Sequence, residues 1–346
     1  MARLSSSPRF KIAAAVLVLL SFLALCEGGL RLLDIDARFQ NRLFVLNRAL
    51  DYPEVFERDR DLFWRLRPSQ TITSQFFEGK TYTINASGFR GPEIQVDDDH
   101  ERIMLLGNSC LFGWGVGWEE STAGQLQRQL GKDYEVVNAA VPGYSSLQGL
   151  RSLERVASGL NPDVIVVMFG WNDQWAAANQ TSDIDQDLGS ELLIDLQNSL
   201  GRLQIYRLLK KLLLSHVEPP LDSLFDRAAP VYRVDLVSYR QTLTDIIKMA
   251  RAMGARVFLV TEPQPSHLAY GAAVVNHPAV RNHQRYNVVV REVAQKLGVV
   301  LIDAAAAFDT RSDLYDDPRR DFIHFNAGGH QLLADLIAAE LTRDGE

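Results

Sequence analysis

From about residue 100 to the end of the chain, short runs of apolar, often β-branched residues alternate with longer helical patterns. This alternation predicts an α/β domain with a parallel sheet whose two faces are covered by helices. We predict strands at 102–106, 134–138, 164–169, 257–261 and 299–302. Apolar residues at three- and four-residue spacing predict helices at 122–130, 149–158, 238–253, 280–297 and 327–341. In such a sheet, the loops at the carboxyl ends of the strands form the ligand site.

The first 33 residues predict a membrane segment. Three basic residues, the last of them Lys11, precede a run from Ile12 to Cys26 that carries no charge. Basic residues on that side of an apolar run place the rest of the chain outside the cytoplasm. The run is shorter than the roughly 20 residues that span a bilayer, and residues 28–33 extend it if the intervening charged side chains reach the interface. A transmembrane anchor and a signal peptide both fit this pattern.

Composition argues against several classes of function. The formal net charge is −7 and no dense Lys/Arg run occurs, so nucleic acid is not an expected partner. Cys26 and Cys110 are the two cysteines, and Cys26 lies in the apolar run, so no disulfide framework is expected. No Cys/His cluster has the spacing of a zinc site.

Two segments lie outside the alternating pattern. Residues 34–98 contain strand-like stretches at 62–68 and 82–92, which predict a β-rich addition. An insertion at about 174–232 contains the leucine-rich segment 203–214. Its periodicity favours a core-facing amphipathic helix, with an active-site lid or a surface lying on the membrane as alternatives. The chain is thereby divided into a membrane anchor or signal segment (1–33), the β-rich addition (34–98) and the main domain (99–346).

A candidate nucleophile follows the first predicted strand, and a candidate base lies near the end of the chain. Ser109 stands where the first predicted strand turns toward a helix, in Gly107-Asn108-Ser109. A serine hydroxyl needs an adjacent base, normally an imidazole that a carboxylate holds in one tautomer. Asp321 and His324, three residues apart in a predicted loop, can supply that pair.

Acyl transfer also needs hydrogen-bond donors for the oxyanion that develops on the substrate. Gly143, in the loop after the second strand, can present a backbone N–H without side-chain hindrance. Asn172, in the loop after the third strand, can donate from its amide. The backbone N–H of Ser109 is the third candidate donor.

Together, these four segments resemble the consensus blocks of the SGNH hydrolases, the GDSL-like esterases and acyltransferases. The resemblance covers roughly residues 100–345. It implies a flavodoxin-like three-layer α/β/α sandwich around a five-stranded parallel sheet. On this resemblance Ser109, Asp321 and His324 form the catalytic triad, and the oxyanion hole consists of Ser109, Gly143 and Asn172.

One residue departs from the family pattern, which commonly has Asp where this chain has Asn108. That position is not a member of the triad, so the departure leaves the expected activity in place. No metal or organic cofactor is implied, because protein groups account for the proton transfers and for the stabilisation of charge.

The expected activity is hydrolysis of acyl esters of carbohydrates or lipids through an acyl-enzyme. O-acyl transfer to an envelope polysaccharide uses the same triad and is the first alternative; some relatives in the family act beside membrane acyltransferases, which would then be a partner. A non-catalytic envelope protein that binds a glycan or a membrane partner is the second. With the N-terminal segment, the expected location is the bacterial envelope, anchored in the inner membrane with the catalytic domain outside the cytoplasm.

Overall fold

The computed structural model describes residues 7–33, 52–73, 79–95, 100–177, 180–214, 231–317 and 321–343. Its first element is helix α1 (Pro8–Leu32), which begins with Ser7 as its N-cap and a proline at the first helical position. The mean hydropathy of its most apolar 18-residue window is 2.2. The helix is long and apolar enough to cross a membrane, and a signal sequence at this position has the same properties. Anchor and signal sequence therefore both remain predictions.

Two antiparallel hairpins form the β-rich addition that the sequence predicts. Strand β1 (Phe56–Asp59) pairs with β2 (Phe63–Leu66), and β3 (Gln70–Thr73) pairs with β4 (Thr81–Ile84). Trp64 of β2 is fully buried, and its indole N–H donates to the Pro142 carbonyl at 3.2 Å. The first hairpin is therefore packed against a loop at the carboxyl edge of the main sheet.

The main sheet contains five parallel strands, as predicted. They are β5 (Glu101–Gly107), β6 (Tyr134–Asn138), β7 (Val164–Met168), β8 (Arg256–Val260) and β9 (Val300–Ile302). Their order across the sheet is β6-β5-β7-β8-β9, which is the flavodoxin-like order. Each strand begins and ends within one residue of its prediction. The central strand β7 is buried along its whole length, as expected of a parallel strand covered on both faces.

Helices cover both faces of this sheet, which confirms the three-layer sandwich. The helices that follow α1 are, in chain order, α2 (Ser109–Phe112), α3 (Thr122–Leu130), α4 (Ser146–Leu160), α5 (Glu191–Gly201), α6 (Gln204–Leu214), α7 (Leu236–Ala252), α8 (His267–Tyr270), α9 (Ala272–Val275), α10 (Pro278–Leu297), α11 (Ala304–Ala307) and α12 (Ala327–Arg343). Helix α3 packs against α12, while α4 packs against α7 and α7 against α10. Right-handed crossovers between parallel strands place these two groups on opposite faces.

Two local predictions are wrong. The segment that carries the predicted Asp–His pair is not a loop but strand β11 (Asp321–Phe325), which pairs antiparallel with β10 (Tyr315–Asp317). The leucine-rich segment does form a helix, α6, but it does not face the core. Leu209, Leu212 and Leu213 are 53%, 63% and 74% exposed, respectively, because helices α1 and α5 contact other parts of α6.

Candidate active site

Ser109 is the first residue of α2 and follows directly on the end of β5. Asn108 caps the helix, and its side-chain oxygen accepts a hydrogen bond from the Cys110 N–H at 2.9 Å. Glycine is required at position 107, since an added Cβ would lie 2.9 Å from Leu111 Cβ and 2.9 Å from the Met168 carbonyl oxygen. This tight turn holds the serine side chain half-buried at the carboxyl edge of the sheet.

The structure brings together the three residues predicted as a triad. His324 Nε2 lies 2.9 Å from Ser109 Oγ, and His324 Nδ1 lies 2.6 Å from Asp321 Oδ2. A proton on Nδ1 satisfies the carboxylate and leaves Nε2 free to accept the serine proton. The side chains of His324 and Asp321 are 19% and 30% exposed, so the group is accessible from solvent.

Strand β11 itself orients the carboxylate of this group. Asp321 Oδ1 accepts hydrogen bonds from the backbone N–H groups of Ile323 and His324, both at 3.1 Å. Partial burial raises the pKa of Asp321, but the hydrogen bonds and charge of His324 outweigh it and lower the pKa to about 2. Asp321 is therefore ionised at neutral pH, as a carboxylate that stabilises an imidazolium must be.

A loop supported by the β-rich addition holds the imidazole ring. Trp114 stacks on His324 with ring centroids 5.4 Å apart and an interplanar angle of 23°. The loop that carries Trp114 is held by Arg90, a buried residue that follows β4. Its guanidinium donates to the carbonyls of Phe112, Gly113 and Val116 at 2.6–2.7 Å. The addition thus has a structural link to the site that its sequence did not indicate.

The two loops predicted to supply oxyanion donors flank the nucleophile strand. Gly143 follows β6 and Asn172 follows β7, and β5 lies between these strands. Gly143 has φ of +83°, a backbone conformation that favours glycine. The Asn172 amide donates to the Tyr144 carbonyl at 3.1 Å, which links the two loops. The side-chain NH₂ of Asn172 has a second hydrogen, and the role of both residues as oxyanion donors stays a prediction.

A buried ion pair that sequence reasoning missed holds the same two loops. Arg233 and Asp183, whose side chains are 1% and 3% exposed, pair at 2.8 Å. Arg233 also donates to the Gly143 carbonyl at 2.7 Å and, at 3.5 Å, to the Asn172 carbonyl. Asp183 accepts from the Ser145 hydroxyl at 2.7 Å. Asp183 lies in the predicted insertion, and Arg233 is the residue just after it. This segment therefore holds the two loops of the candidate site in place.

A second buried carboxylate explains why this chain has asparagine at position 108, where the family pattern commonly has aspartate. Glu262, at the end of β8, accepts hydrogen bonds from the Asn108 amide at 2.8 Å and from the Trp171 N–H at 2.7 Å. Burial raises the pKa of Glu262 to about 7, against the lowering effect of these two hydrogen bonds. An aspartate at 108 would face this carboxylate, whereas asparagine donates to it. Asn108 and Glu262 together connect the nucleophile turn to the Asn172 loop.

An Asn108→Asp substitution should make stability strongly dependent on pH. The folded-state pKa of Glu262 already lies above the ordinary value of a glutamate, so its protonated form stabilises the fold at low pH and this contribution is lost as pH rises toward 7. A second carboxyl group beside Glu262, at position 108, extends this loss of stability to higher pH. We expect near wild-type stability at pH 5, where the two groups share a proton, and a loss of roughly 3 kcal/mol at pH 8.

Urea unfolding at the two pH values measures this effect. Asn276→Asp is the matched control, because it adds the same charge at an exposed position. An equal loss of stability at both pH values in Asn108→Asp would contradict the proposed contact between the two carboxyl groups.

Among the described residues, no group of three or more His, Cys, Asp or Glu side chains is placed to hold a metal ion. The polar groups of the site are instead arranged as a relay of hydrogen bonds from Ser109 to Asp321. This arrangement can deprotonate a hydroxyl group and hold the resulting imidazolium ion.

Comparisons with known proteins identify the family of the chain. The profile of the GDSL-like Lipase/Acylhydrolase family matches residues 105–332. Esterase TesA of Pseudomonas aeruginosa is 30% identical over 76 residues, which are 21% of this chain and 38% of that esterase. The chain thus matches little more than a third of the length of this curated relative.

Solved structures similar to this chain include three hydrolases. A lipase/acylhydrolase from Enterococcus faecalis has 19% identity and a TM-score of 0.43, over 70% of this chain and 95% of its own. The acetyl xylan esterase AlAXEase has 18% identity and a TM-score of 0.43, over 69% and 99%. A TesA structure has 18% identity and a TM-score of 0.45, over 69% and 97%. The family profile covers well over half of the residues, and the chain belongs to the GDSL-like lipase/acylhydrolase family of SGNH hydrolases.

Proposed function

We propose that the protein is a serine-dependent ester hydrolase that acts on acyl esters of carbohydrates or lipids. The observation that carries this proposal is the unbroken relay from Ser109 Oγ through His324 to Asp321, with contacts of 2.9 and 2.6 Å. A serine with only a structural role at a turn does not need an imidazole beside it that a carboxylate holds in one orientation. The relay is what nucleophilic catalysis requires.

The first half of the reaction forms an acyl-enzyme. Ser109 Oγ bonds to the acyl carbon while its proton passes to His324 Nε2, and Asp321 stabilises the imidazolium. The oxyanion of the tetrahedral intermediate accepts hydrogen bonds from the N–H groups of Ser109 and Gly143 and from the Asn172 amide. When the intermediate collapses, the alcohol leaves with the proton from His324, and the acyl group remains on Ser109.

The second half of the reaction returns the serine. A water molecule gives its proton to His324 as it attacks the acyl carbon, and Ser109 Oγ takes that proton from His324 as it leaves and the acid is released. A sugar hydroxyl in place of water would give O-acyl transfer with the same residues. The apolar helix α1 favours keeping this alternative, because an anchored domain would stay beside envelope polysaccharide and beside a membrane acyltransferase that supplies the acyl group.

The proposed location follows from α1. We place this helix across the inner membrane of a bacterial envelope, with the catalytic domain outside the cytoplasm, as its basic N-terminal flank favours. Its length at 1.5 Å per residue is compatible with the hydrocarbon thickness of about 30 Å. This arrangement confines hydrolysis or transfer to substrates of the envelope.

One experiment tests the activity and the acceptor together. The full chain, purified in detergent, is incubated with p-nitrophenyl acetate alone and with added xylo-oligosaccharide, and p-nitrophenol, acetate and acetylated sugar are measured. Hydrolysis predicts equal amounts of p-nitrophenol and acetate in both samples. Acetylated sugar at the expense of acetate would favour the transferase.

A fluorophosphonate probe followed by peptide mass spectrometry identifies the nucleophile in the same preparation. We expect the probe on Ser109, lost in His324→Ala and retained in Ser199→Ala, an exposed serine on α5. A folded protein that neither turns over ester nor reacts with the probe would contradict the proposed function and favour a binding protein with the same fold.

A further inference from the structure

Helix α6 exposes three leucines, whereas two of its basic side chains are half-buried. Leu209, Leu212 and Leu213, which are spaced three and four residues apart, lie on one face and are its most exposed large apolar side chains, whereas Arg207 and Lys210 are half-buried. A helix on a water-facing protein surface has the opposite arrangement. This arrangement fits a medium less polar than water over the leucine face.

The first turn of helix α6 lies against the C-terminal end of the apolar helix α1. Within α1, the part from Pro8 to Leu25 is exposed, and partial burial starts at Cys26. The Glu27 carboxylate accepts hydrogen bonds from the N–H groups of Gln204 and Ile205 at 3.0 and 2.9 Å. It therefore caps the first turn of α6.

A second contact fixes the same junction. Arg31 donates to the Arg202 carbonyl at 3.0 Å and to Glu27 at 2.8 Å. The last two turns of α1 are thereby joined to the start of α6 by charged and backbone groups, which prefer to lie outside the hydrocarbon of a bilayer. The free part of α1 extends away from this junction.

These contacts set the depth of α6 if α1 crosses the membrane. The uncharged run from Ile12 to Cys26 is about 22 Å long at 1.5 Å per residue, somewhat less than the hydrocarbon thickness of about 30 Å. Glu27 therefore lies at or near the boundary between hydrocarbon and headgroups. Because Glu27 caps α6, the first turn of α6 lies at that boundary too.

A neighbouring helix enlarges the apolar surface. Leu192, Leu193 and Leu196 of α5 are 78%, 51% and 51% exposed, and α5 contacts α6. Isolated exposed leucines are common on soluble proteins, but six on two adjoining helices beside an apolar anchor are not. Their position favours lipid over a protein partner, because α6 contacts α1, the helix that we propose enters the bilayer.

We propose that α6 lies on the outer surface of the bilayer, with its leucine face in the boundary between headgroups and acyl chains. This proposal rests on the proposed insertion of α1. The bilayer would then hold the domain at two places, and the Glu27 contacts would fix its orientation to the membrane. The segment 191–214 is a membrane-binding element, which was one of the alternatives for its leucine-rich part.

Fluorophore depth in vesicles tests the proposal on the full chain. In a Cys26→Ser background, Leu212→Cys is labelled with an environment-sensitive nitrobenzoxadiazole dye and the protein is reconstituted into phosphatidylcholine and phosphatidylglycerol vesicles. We expect blue-shifted emission, at least about twofold quenching by lipid carrying a doxyl group at carbon 5, and little quenching by iodide. Leu213→Cys should give the same result.

The matched control is Val288→Cys on α10. Val288 is 48% exposed, and α10 packs on α7, β8 and β9. Its label should be quenched by iodide and not by doxyl lipid. A label at 212 that behaves like the label at 288 would overturn the proposal. So would a label shielded from both quenchers, which indicates protein contact.

Flotation of the same vesicles separates failure of the anchor from failure of the helix placement. Protein that does not float with the vesicles shows that α1 is not inserted, and the proposal then falls with the anchor. Protein that floats but keeps the 212 label in water overturns the placement of α6 alone. Neither result bears on the ester hydrolase activity, which the fluorophosphonate reaction of the same preparation reports.

Discussion

Ser109→Ala is expected to lower kcat for p-nitrophenyl acetate hydrolysis by roughly 10⁴- to 10⁶-fold, because no other oxygen can take the place of Oγ in the acyl-enzyme. His324→Ala should have a loss of similar size. The imidazole is 2.9 Å from Oγ, and without it the serine proton has no acceptor. Asp321→Asn should cost less, about 10²- to 10⁴-fold, because the base remains and only its tautomer and its imidazolium form are disfavoured.

The double variant makes this prediction specific to a relay. Residues that act as one unit are not additive, so Ser109→Ala with His324→Ala should lose no more activity than Ser109→Ala alone. Ser199→Ala, on the exposed side of α5, should retain wild-type kcat. Steady-state rates on purified full-length protein measure all five variants. A Ser109→Ala protein with kcat within tenfold of wild type would show that the hydrolysis occurs elsewhere or by another nucleophile.

Much of the fold could be predicted from sequence because its determinants are local. A parallel strand buried on both faces is a short continuous apolar run, as in the Val164–Met168 strand, and the helix at 122–130 has regular apolar spacing with a Ser121 cap. The nucleophile turn is local too, since Gly107 and Asn108 are both needed by the tight strand-to-helix turn that carries Ser109.

The errors arose where structure depends on partners that a segment's own residues do not encode. The Asp321–Phe325 segment is a strand because it pairs with Tyr315–Asp317, and its own residues do not reveal that pairing. Periodicity predicts that the leucine face of α6 packs on the core, because it identifies an apolar face but not what covers that face. The Asn108–Glu262 contact joins residues 154 positions apart and has no local pattern.

The supports of the candidate site also come from far away in sequence. Arg90 holds the loop that carries Trp114, and Trp64 packs against the loop that carries Gly143. Burial lowers the pKa of Arg90 to about 10, which still leaves it charged at neutral pH. The β-rich addition is thus expected to be needed for a working site, and this could be inferred only once the hairpins were seen on the carboxyl edge of the sheet.

Arg233→Met is expected to lower the free energy of unfolding by about 3–5 kcal/mol, because Asp183 would be left buried without its cation. Arg233 also donates to the Gly143 carbonyl and to the Gln148 side chain, at 2.7 and 2.6 Å, so the loop beside the nucleophile and the first turn of α4 would each lose a contact. We therefore expect kcat to fall as well. Urea unfolding followed by tryptophan fluorescence measures the first effect, and turnover at a concentration of urea where the variant is folded measures the second.

A second substitution separates stability from loop positioning. Arg233→Met with Asp183→Leu replaces both charges by apolar side chains, and replacing a buried ion pair in this way is often neutral or stabilising. We expect the double variant to recover most of the stability but not kcat, because the Gly143 carbonyl still lacks its donor.

Arg343→Met is the matched control for the loss of an arginine. Its partner is Glu340 on the same helix, α12, and because the Arg343 side chain is 74% exposed, this ion pair contributes about 0–1 kcal/mol. If the Arg233 and Asp183 double variant regained full kcat along with stability, the pair would serve folding alone. If stability returned while kcat stayed low with KM little changed, Arg233 would be a positioning residue for the oxyanion loops. The second outcome is the one expected from a guanidinium that binds the Gly143 carbonyl itself.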